Sequence, residues 1–244
     1  LFKKYTKKAE PTVEALPSSG SNRRYYRLTS GDTTLIGVHG QSKEENYAFI
    51  ELAKHFYAQN LNVPKVLIAS DDLHYYLQED LGDRVLFDAI KAGRNTGVFS
   101  NEEVELLKKT IIKLADFQVV GAKNLNFDVC YPQPEFNERS VYWDLNYFKY
   151  SFLKTTGMEF QENLLENDFE RMTQKLLEDQ SNTLLYRDFQ SRNVMLVDNE
   201  PYFIDFQGGR KGPVYYDVAS FLWQAKANIP DDLRNELIDT YIEA

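Results

Sequence analysis

The sequence is poor in several features that define other classes of protein. It holds one cysteine, Cys130, which excludes an internal disulfide and favours a reducing compartment such as the cytoplasm. The three histidines, His39, His55 and His74, lack metal-ligand spacing, so each is predicted to be a surface or half-buried residue rather than a zinc ligand. No apolar run approaches the roughly 18 residues of a membrane-spanning helix, and no signal peptide is visible, so no membrane association is expected.

Positive charge is also scarce. With 28 Lys and Arg against 37 Asp and Glu, the net charge is −9, which predicts that the protein does not bind nucleic acid. The composition is that of an ordinary globular protein, with a length that suits two modest lobes. The first residue is not Met, and residues 231–244 are predicted to form a helix without a stop signal. We therefore expect the natural protein to continue beyond residue 244, where a further domain could follow.

The chain does contain a dense set of polar residues between short apolar strands at 184–206. Asp188 follows the first apolar run, Asn193 comes five residues later, and Asp205 ends the strand that follows a turn at 198–201. Phosphoryl transfer needs an acid beside the attacking hydroxyl, and oxygen ligands that hold Mg²⁺ against the phosphates of ATP. We therefore predict that Asp188 is the catalytic base, that Asn193 and Asp205 bind Mg²⁺, and that ATP is the co-substrate.

The first third of the chain is predicted to be a small, strand-rich lobe. The predicted elements are a helix or loose arm over 1–15, strands on both sides of a turn at Gly31, a helix over 42–59 that begins with a Ser42–Glu45 capping box, and strands over 63–69 and 73–83. A small sheet and one main helix are expected in this lobe.

Two segments of this lobe are predicted to hold the nucleotide. The turn at 17–22 has small side chains, so its backbone N–H groups could approach phosphates, although taken alone it could be a plain surface turn. The segment QEDLGD joins the strand-rich part to the helix-rich part, and its backbone could bond an adenine edge. The predicted nucleotide-binding residues are Ser19, Gly20, Ser21, Asn22 and Arg24 in the first segment and Gln78, Glu79, Asp80 and Leu81 in the second.

The rest of the chain is predicted to be mostly helical. The predicted helices cover 85–92, 101–120 with a Ser100–Glu103 capping box, 142–154, 167–179 and 215–225. The sequence therefore predicts an α+β fold with an N-lobe over residues 1–82 and a C-lobe over residues 83–244.

Polar residues around the catalytic stretch are candidates for the substrate site. Asp144 lies in an aromatic-rich helix, where it either faces the substrate or belongs to an ordinary helix surface. Gln190, Arg192 and Arg210 flank the acids, and cations there could hold the transferring group or an anionic substrate, with surface charge as the alternative. Asp217 is predicted to be structural, either capping the next helix or tying down the catalytic loop.

The segments YRDFQSRNVML, FIDFQ and GPVYYDVASF resemble the aminoglycoside phosphotransferase and choline kinase family, a branch of the protein-kinase-like fold. Within it, the resemblance is closest to the anomeric sugar kinases of cell-wall recycling, which act on N-acetylmuramate and N-acetylglucosamine. It implies a bilobal fold with a small β-rich N-lobe and a larger, mostly helical C-lobe. It also implies the same roles for Asp188, Asn193 and Asp205, a nucleotide hinge at QEDLGD, and transfer of the γ-phosphoryl group of Mg-ATP to a small-molecule hydroxyl.

Two departures from the family pattern bear on function. Tyr186 stands where the family usually has a histidine, and no lysine ends the strand TTLIGV, where kinases place the one that holds the phosphates. His39 stands near that place, and Arg24, Arg27 or Lys43 could take over the phosphate role. The anomeric sugar kinases also tend to lack this lysine.

Two other functions stay open at the level of sequence. A pocket built from Tyr142, Trp143, Asp144 and Tyr147 would suit a cationic acceptor, as in a choline or aminoglycoside kinase. The missing lysine would suit a nucleotide-binding pseudokinase, although the presence of all three catalytic and metal-binding candidates speaks against it.

Overall fold

The computed structural model describes residues 1–17, 22–178 and 182–244. Its N-terminal part is a five-stranded antiparallel sheet with the strand order β1-β2-β3-β5-β4. The strands are β1 (Thr12–Ala15), β2 (Arg24–Ser30), β3 (Thr33–His39), β4 (Val66–Ala69) and β5 (Tyr75–Glu79), and the helices are α1 (Phe2–Thr6) and α2 (Lys43–Ala58). The predicted hairpin, the predicted helix after it and the last two predicted strands are confirmed.

The prediction of a helix or loose arm over residues 1–15 was wrong in one respect, because it missed β1. All four residues of β1 are exposed, so its sequence TVEA has no apolar alternation. The strand pairs with β2, with Val13 opposite Leu28 and Ala15 opposite Tyr26. An edge strand of this kind is defined by backbone hydrogen bonds to its neighbour, which hydrophobic periodicity does not detect.

Helix α2 packs its apolar face against the sheet and the helical part of the chain. The Ser42 hydroxyl accepts a hydrogen bond from the backbone N–H of Glu45 at 3.1 Å, as a helix N-cap does. Within the described residues only this half of the predicted capping box forms, because the Glu45 carboxylate lies 3.2 Å from the guanidinium of Arg23.

The C-terminal part is helical around two short strand pairs. The helices are α3 (Leu86–Ala89), α4 (Lys91–Thr96), α5 (Asn101–Val120), α6 (Glu138–Ser151), α7 (Glu162–Leu176), α8 (Tyr215–Leu222) and α9 (Asp231–Glu243), and the strand pairs are β6 (Leu184–Leu185) with β9 (Arg210–Lys211) and β7 (Val194–Val197) with β8 (Glu200–Phe203). The predicted capping box of α5 is confirmed. Helices α6 and α7 begin about one turn before their predicted starts, α6 with Asn137 as its N-cap. No helix in the described ranges is long and apolar enough to cross a membrane.

Aromatic side chains join the two parts of the molecule in one core. The Phe206 ring stacks on the Phe49 ring of α2, with centroids 4.7 Å apart and an interplanar angle of 7°, and meets Phe56 edge-on at 5.3 Å. Phe117 of α5 contacts the same Phe56 ring at 4.4 Å. Helix α2 is therefore packed directly on the segment that follows Asp205.

Candidate active site

A cleft of about 640 Å³ lies between the sheet and the helical part. From the N-terminal part it is lined by Tyr25 and Arg27 of β2, Ile36 of β3 and the segment 78–83. From the C-terminal part, its lining includes Arg192, Asn193, Met195, Ile204 and Asp205. The structure thus brings the predicted QEDLGD hinge and both predicted metal ligands to the same cleft.

Gln78 has the clearest signature of a ligand-contacting residue on this cleft. It lies on β5 between Ile36 of β3 and Val66 of β4, and it is only 7% exposed. Its side-chain oxygen is buried and has no hydrogen-bond partner in the described part of the chain. A buried polar atom without a partner is costly, so it points to a hydrogen bond that a bound molecule completes.

The other predicted nucleotide residues differ in where they lie. Asp80 lines the cleft, where its carboxylate accepts a hydrogen bond from Arg27 at 2.7 Å. Glu79 and Leu81 line the cleft beside it. Asn22 is exposed. Ser19, Gly20 and Ser21 fall outside the described residues.

Arg24, which is predicted to bind the nucleotide, is not among the residues that line this cleft. Side chains alternate along β2, so Tyr25 lines the cleft while Arg24 is exposed on the opposite face, which it shares with Tyr26. His39 pairs with Arg24 across the strands and stacks on Tyr75, with centroids 4.7 Å apart. Neither Arg24 nor His39 therefore replaces the missing lysine inside the cleft.

The loop that carries Asp188 is held by hydrogen bonds at both ends. Asp217, fully buried in α8, accepts hydrogen bonds from the backbone N–H groups of Tyr186 at 2.7 Å and Arg187 at 2.9 Å. The side-chain amide of Asn193 donates to the backbone carbonyl of Asp188 at 2.9 Å. These contacts support the structural role predicted for Asp217, which is to tie down the catalytic loop.

A third hydrogen bond to Asp217 comes from the Gln118 side chain of α5 at 2.8 Å. Burial raises the pKa of Asp217 to about 7. The three hydrogen bonds act in the opposite direction, because they favour the carboxylate form. Gln118 was not among the predicted site residues, because a glutamine in a long helix carries no sequence signal of its partner.

The Asp188 side chain is exposed to solvent. The surrounding protein still partly desolvates its carboxylate, and this raises the pKa of Asp188 above the ordinary aspartate value. Neighbouring Arg187 opposes the shift, and the negative charge of Asp205 adds to it. A carboxylate with a raised pKa is a better proton acceptor, as a general base requires.

Asn193 and Asp205 present oxygen atoms that fit a hard divalent cation. The Asn193 amide nitrogen is engaged with Asp188, which leaves its oxygen for a ligand. Asp205 has a left-handed backbone, with φ 66° and ψ 32°, and one of its oxygens accepts from Gln207 at 2.9 Å. Among the described residues, no group of three or more His, Cys, Asp or Glu could hold a metal alone. The two oxygens therefore suit a Mg²⁺ that also binds phosphate oxygens.

Asp144, predicted to bind substrate, is already engaged. Its two oxygens accept hydrogen bonds from both terminal nitrogens of Arg187, at 2.7 and 2.5 Å. The Tyr216 hydroxyl contacts the same arginine at 2.7 Å and Asp144 at 3.3 Å. Bidentate pairing neutralises the Asp144 charge. Asp144 therefore holds the side chain of the residue next to Asp188, and its predicted contact with the substrate stays a prediction.

The remaining predicted substrate residues do not form one group. Arg192 is exposed, lines the cleft and lies over the Phe87 ring at 5.2 Å. Arg210 is only 4% exposed and donates to the carbonyl of Gly208 at 3.0 Å, and burial lowers the pKa of its guanidinium. Gln190 is half-buried, and its backbone carbonyl accepts from the N–H of Asn193 at 2.9 Å.

Comparison with known proteins identifies the class. Residues 12–244 match the family described as "Phosphotransferase enzyme family". Because this match covers nearly the whole chain, the protein belongs to that family. Its fold is the protein-kinase-like fold of aminoglycoside phosphotransferases and choline kinases, with a β-rich first part and a helical second part.

Particular relatives are similar over most of the chain. An N-acetylmuramate/N-acetylglucosamine kinase of Pseudomonas aeruginosa is 26% identical over 238 residues, which are 95% of this chain and 66% of the relative. The chain thus spans just under two thirds of that relative's length. Among solved structures, an amicoumacin kinase in complex with AMP-PNP and Ca²⁺ has a TM-score of 0.69 at 14% identity, covering 99% of this chain and 75% of that one. A choline kinase from Cryptosporidium parvum has a TM-score of 0.63 at 12% identity, covering 98% and 74%.

Proposed function

We propose that this chain transfers the γ-phosphoryl group of Mg-ATP to a hydroxyl group of an amino sugar. The observation that carries the proposal is the meeting of the hinge segment, Asn193 and Asp205 on one cleft, with Asp188 fixed in the loop that leads to Asn193. Gln78 adds an unpaired buried amide where a nucleotide base could bind. The geometry fits a nucleotide at the hinge, with its phosphates directed towards the two oxygen ligands.

In the proposed reaction each residue has a limited task. The Asp188 carboxylate orients the acceptor hydroxyl and accepts its proton late in the transfer, because the transition state is loose. Asn193 and Asp205 would hold Mg²⁺, which neutralises negative charge on the phosphates when it is bound. Asp217 keeps the loop in place through its hydrogen bonds to the backbone of Tyr186 and Arg187.

The acceptor is assigned from the relatives and from the charge around Asp188. Relatives named N-acetylmuramate/N-acetylglucosamine kinase match 90–95% of the chain. A cationic acceptor would need a free carboxylate, whereas Asp144 is neutralised by Arg187 at 2.5 and 2.7 Å. This favours a neutral or anionic sugar over choline or an aminoglycoside. By resemblance to the same sugar kinases, we assign the anomeric hydroxyl as the acceptor atom, and the cytoplasm as the location, where ATP is available.

An ATP-consumption screen of the purified protein tests the proposal. We expect turnover with N-acetylglucosamine or N-acetylmuramate, and none with choline or aminoglycosides. Phosphorylation at the anomeric position removes the reducing end, so a reducing-sugar assay of the product tests the position. Turnover only with choline or an aminoglycoside would overturn the amino-sugar assignment. Absence of Mg-ATP binding would show that the chain is not a kinase.

A further inference from the structure

A positive charge in the N-terminal wall would favour phosphate binding at the proposed nucleotide site, in addition to the bound Mg²⁺ and to Arg192 on the opposite wall. A bound triphosphate would lie near the acidic groups of Asp188 and Asp205, and electrostatic repulsion must be offset. Protein kinases use a lysine on the third strand, paired with a glutamate on the following helix. Here the β3 side chains that face α2 are Ile36 and Val38, which are both buried and apolar. Such a charge would come from another element of the wall.

Other cations of this part of the chain are engaged or face elsewhere. Arg27 lines the cleft, but it is bound to Asp80 and to Asp83, both at 2.7 Å. Lys43 is exposed and lines a separate cavity beside Cys130. Arg24 faces the outer surface of the sheet, as described above.

Arg23 is a buried cation beside this wall. It directly precedes β2, is 2% exposed and lies 3.2 Å from the Glu45 carboxylate of α2. The same guanidinium donates to the backbone carbonyl of Glu45 at 3.2 Å and lies 5.4 Å from the centre of the Phe49 ring. Phe49 lines the cleft and stacks on Phe206, the residue that follows Asp205.

Tyr25 connects Arg23 to the acidic end of the cleft. Burial raises the pKa of the Tyr25 hydroxyl, the Asp205 charge raises it further, and Arg23 opposes the shift by charge and by a hydrogen bond. Tyr25 is thus hydrogen-bonded to Arg23, and its side chain lines the same cleft as Asp205. Tyr76, fully buried, contributes a second hydroxyl close to Arg23.

We propose that Arg23 is the positioning residue for the nucleotide phosphates, and that its ion pair with Glu45 replaces the lysine–glutamate pair of protein kinases. Arg23 is buried beside Tyr25 and Phe49, which line the cleft, so it acts as a fixed positive charge next to this wall and not as a group on the third strand. This inference rests on the proposed ATP-dependent function. It goes beyond that function by assigning the residue that takes the place of the missing lysine.

Binding of two nucleotide-site ligands to the same variants tests the inference. We expect Arg23→Met to weaken the binding of ATP with Mg²⁺ by about 10- to 100-fold, because a fixed positive charge beside the phosphates is lost. Adenosine, which has the base but no phosphates, should bind with unchanged affinity. Arg23→Lys, which retains the charge, should recover most of the ATP affinity. Isothermal titration calorimetry gives both affinities without knowledge of the acceptor.

The control is Lys54→Met, which removes the same charge from an exposed site on α2, where Lys54 bonds to Glu51 at 2.7 Å. It should leave both affinities unchanged. If Arg23→Met weakens ATP and adenosine equally, Arg23 has only a structural role and the inference fails. If Arg23→Met binds ATP as tightly as the parent protein does, the inference also fails. The proposed function is tested separately, by the binding of Mg-ATP to the parent protein. If Arg23→Met does not fold, the affinities of Arg23→Gln for ATP and adenosine are compared with those of Arg23→Lys instead.

Discussion

The two walls of the cleft hold their functional groups in different ways. The catalytic segment, residues 184–206, places Asp188, Asn193 and Asp205 in one loop and hairpin, held mainly by hydrogen bonds to backbone atoms. The nucleotide wall, which we define as Arg23, Tyr25, Glu45 and Phe49, is assembled from β2 with its preceding residue and from α2 by contacts between side chains. The acids of the catalytic segment therefore depend on local geometry, whereas the position of Arg23, which we propose to act on the phosphates, depends on how two elements pack.

This contrast predicts different consequences for changes in the two walls. A change in the catalytic segment should reduce turnover while leaving the base of the nucleotide bound. A change in the nucleotide wall should alter nucleotide affinity before it alters the chemical step. The four variants below test this contrast, from the largest expected effect to the smallest.

Asp205→Asn should have the largest effect. Loss of a charged metal ligand removes several kcal/mol of charge stabilisation in the transition state, so turnover should fall by about 10³-fold. The binding of ADP should also lose its dependence on Mg²⁺, which titration with and without EDTA measures. Asp198→Asn, in the exposed turn before β8, is the control and should behave as the parent protein. An ADP affinity that still rises with Mg²⁺ in the Asp205 variant would contradict the assignment of the metal ligand.

Asp217→Asn should lower both stability and turnover. The new amide must direct an N–H group towards donors from Tyr186, Arg187 or Gln118, which leaves buried groups unpaired. This should cost about 1–3 kcal/mol in the free energy of unfolding, measured by urea denaturation. Asp232→Asn, at the exposed start of α9, supplies the matched control. A variant as stable and as active as the parent protein would show that Asp217 does not hold the loop.

Phe49→Leu tests the contact between the two walls. The ring stacks on Phe206 at 4.7 Å and lies under Arg23, so its loss should cost about 1 kcal/mol of aromatic pairing in addition to the reduced buried area. The KM for ATP should rise more than kcat falls. Asp205 keeps its position in the catalytic segment, whereas Arg23, which lies over the Phe49 ring, would move. Phe152→Leu, at a ring that is 59% exposed, should change neither constant. A fall in kcat alone would place Phe49 with the catalytic segment instead.

Gln78→Leu should have the smallest effect, and its two consequences should have opposite signs. Removing an unpaired buried amide should raise the melting temperature of the free protein, because a polar group no longer lies buried without a partner. Affinity for ATP should fall about fivefold, as expected for one lost hydrogen bond. An ATP affinity equal to that of the parent would mean that Gln78 does not contact the base.

Sequence reasoning succeeded where structure is encoded locally. The strands, turn and polar residues of the catalytic segment follow one another within 23 residues, and the structure has β6, β7 and β8 in that order. Apolar periodicity likewise located α2 and α5. The edge strand β1 was not predicted, because its residues are all exposed and show no apolar alternation.

The differences between the expected and the observed surroundings of site residues have a common physical origin, which is the direction of side chains. Arg24 was predicted to reach the nucleotide, but its neighbour Arg23 is the buried one, a difference of one residue in a period of two. The alternation along RRYYRL contained this signal, since residues 23, 25 and 27 must share a face. The engagement of Asp144 by Arg187 could not be read from sequence, because the two residues are 43 positions apart.

Transfer of phosphate to N-acetylglucosamine by the parent protein and by Asp188→Ala tests the central claim most directly. With saturating Mg-ATP, we expect the parent to form a phosphorylated sugar and the Ala variant to turn over about 10²- to 10⁴-fold more slowly, with its ATP affinity retained. That pattern would show that Asp188 acts in proton transfer and that the nucleotide binds to other residues of the cleft. Turnover of the variant at the parent rate would contradict the assignment of the base and, with it, the role of the catalytic segment.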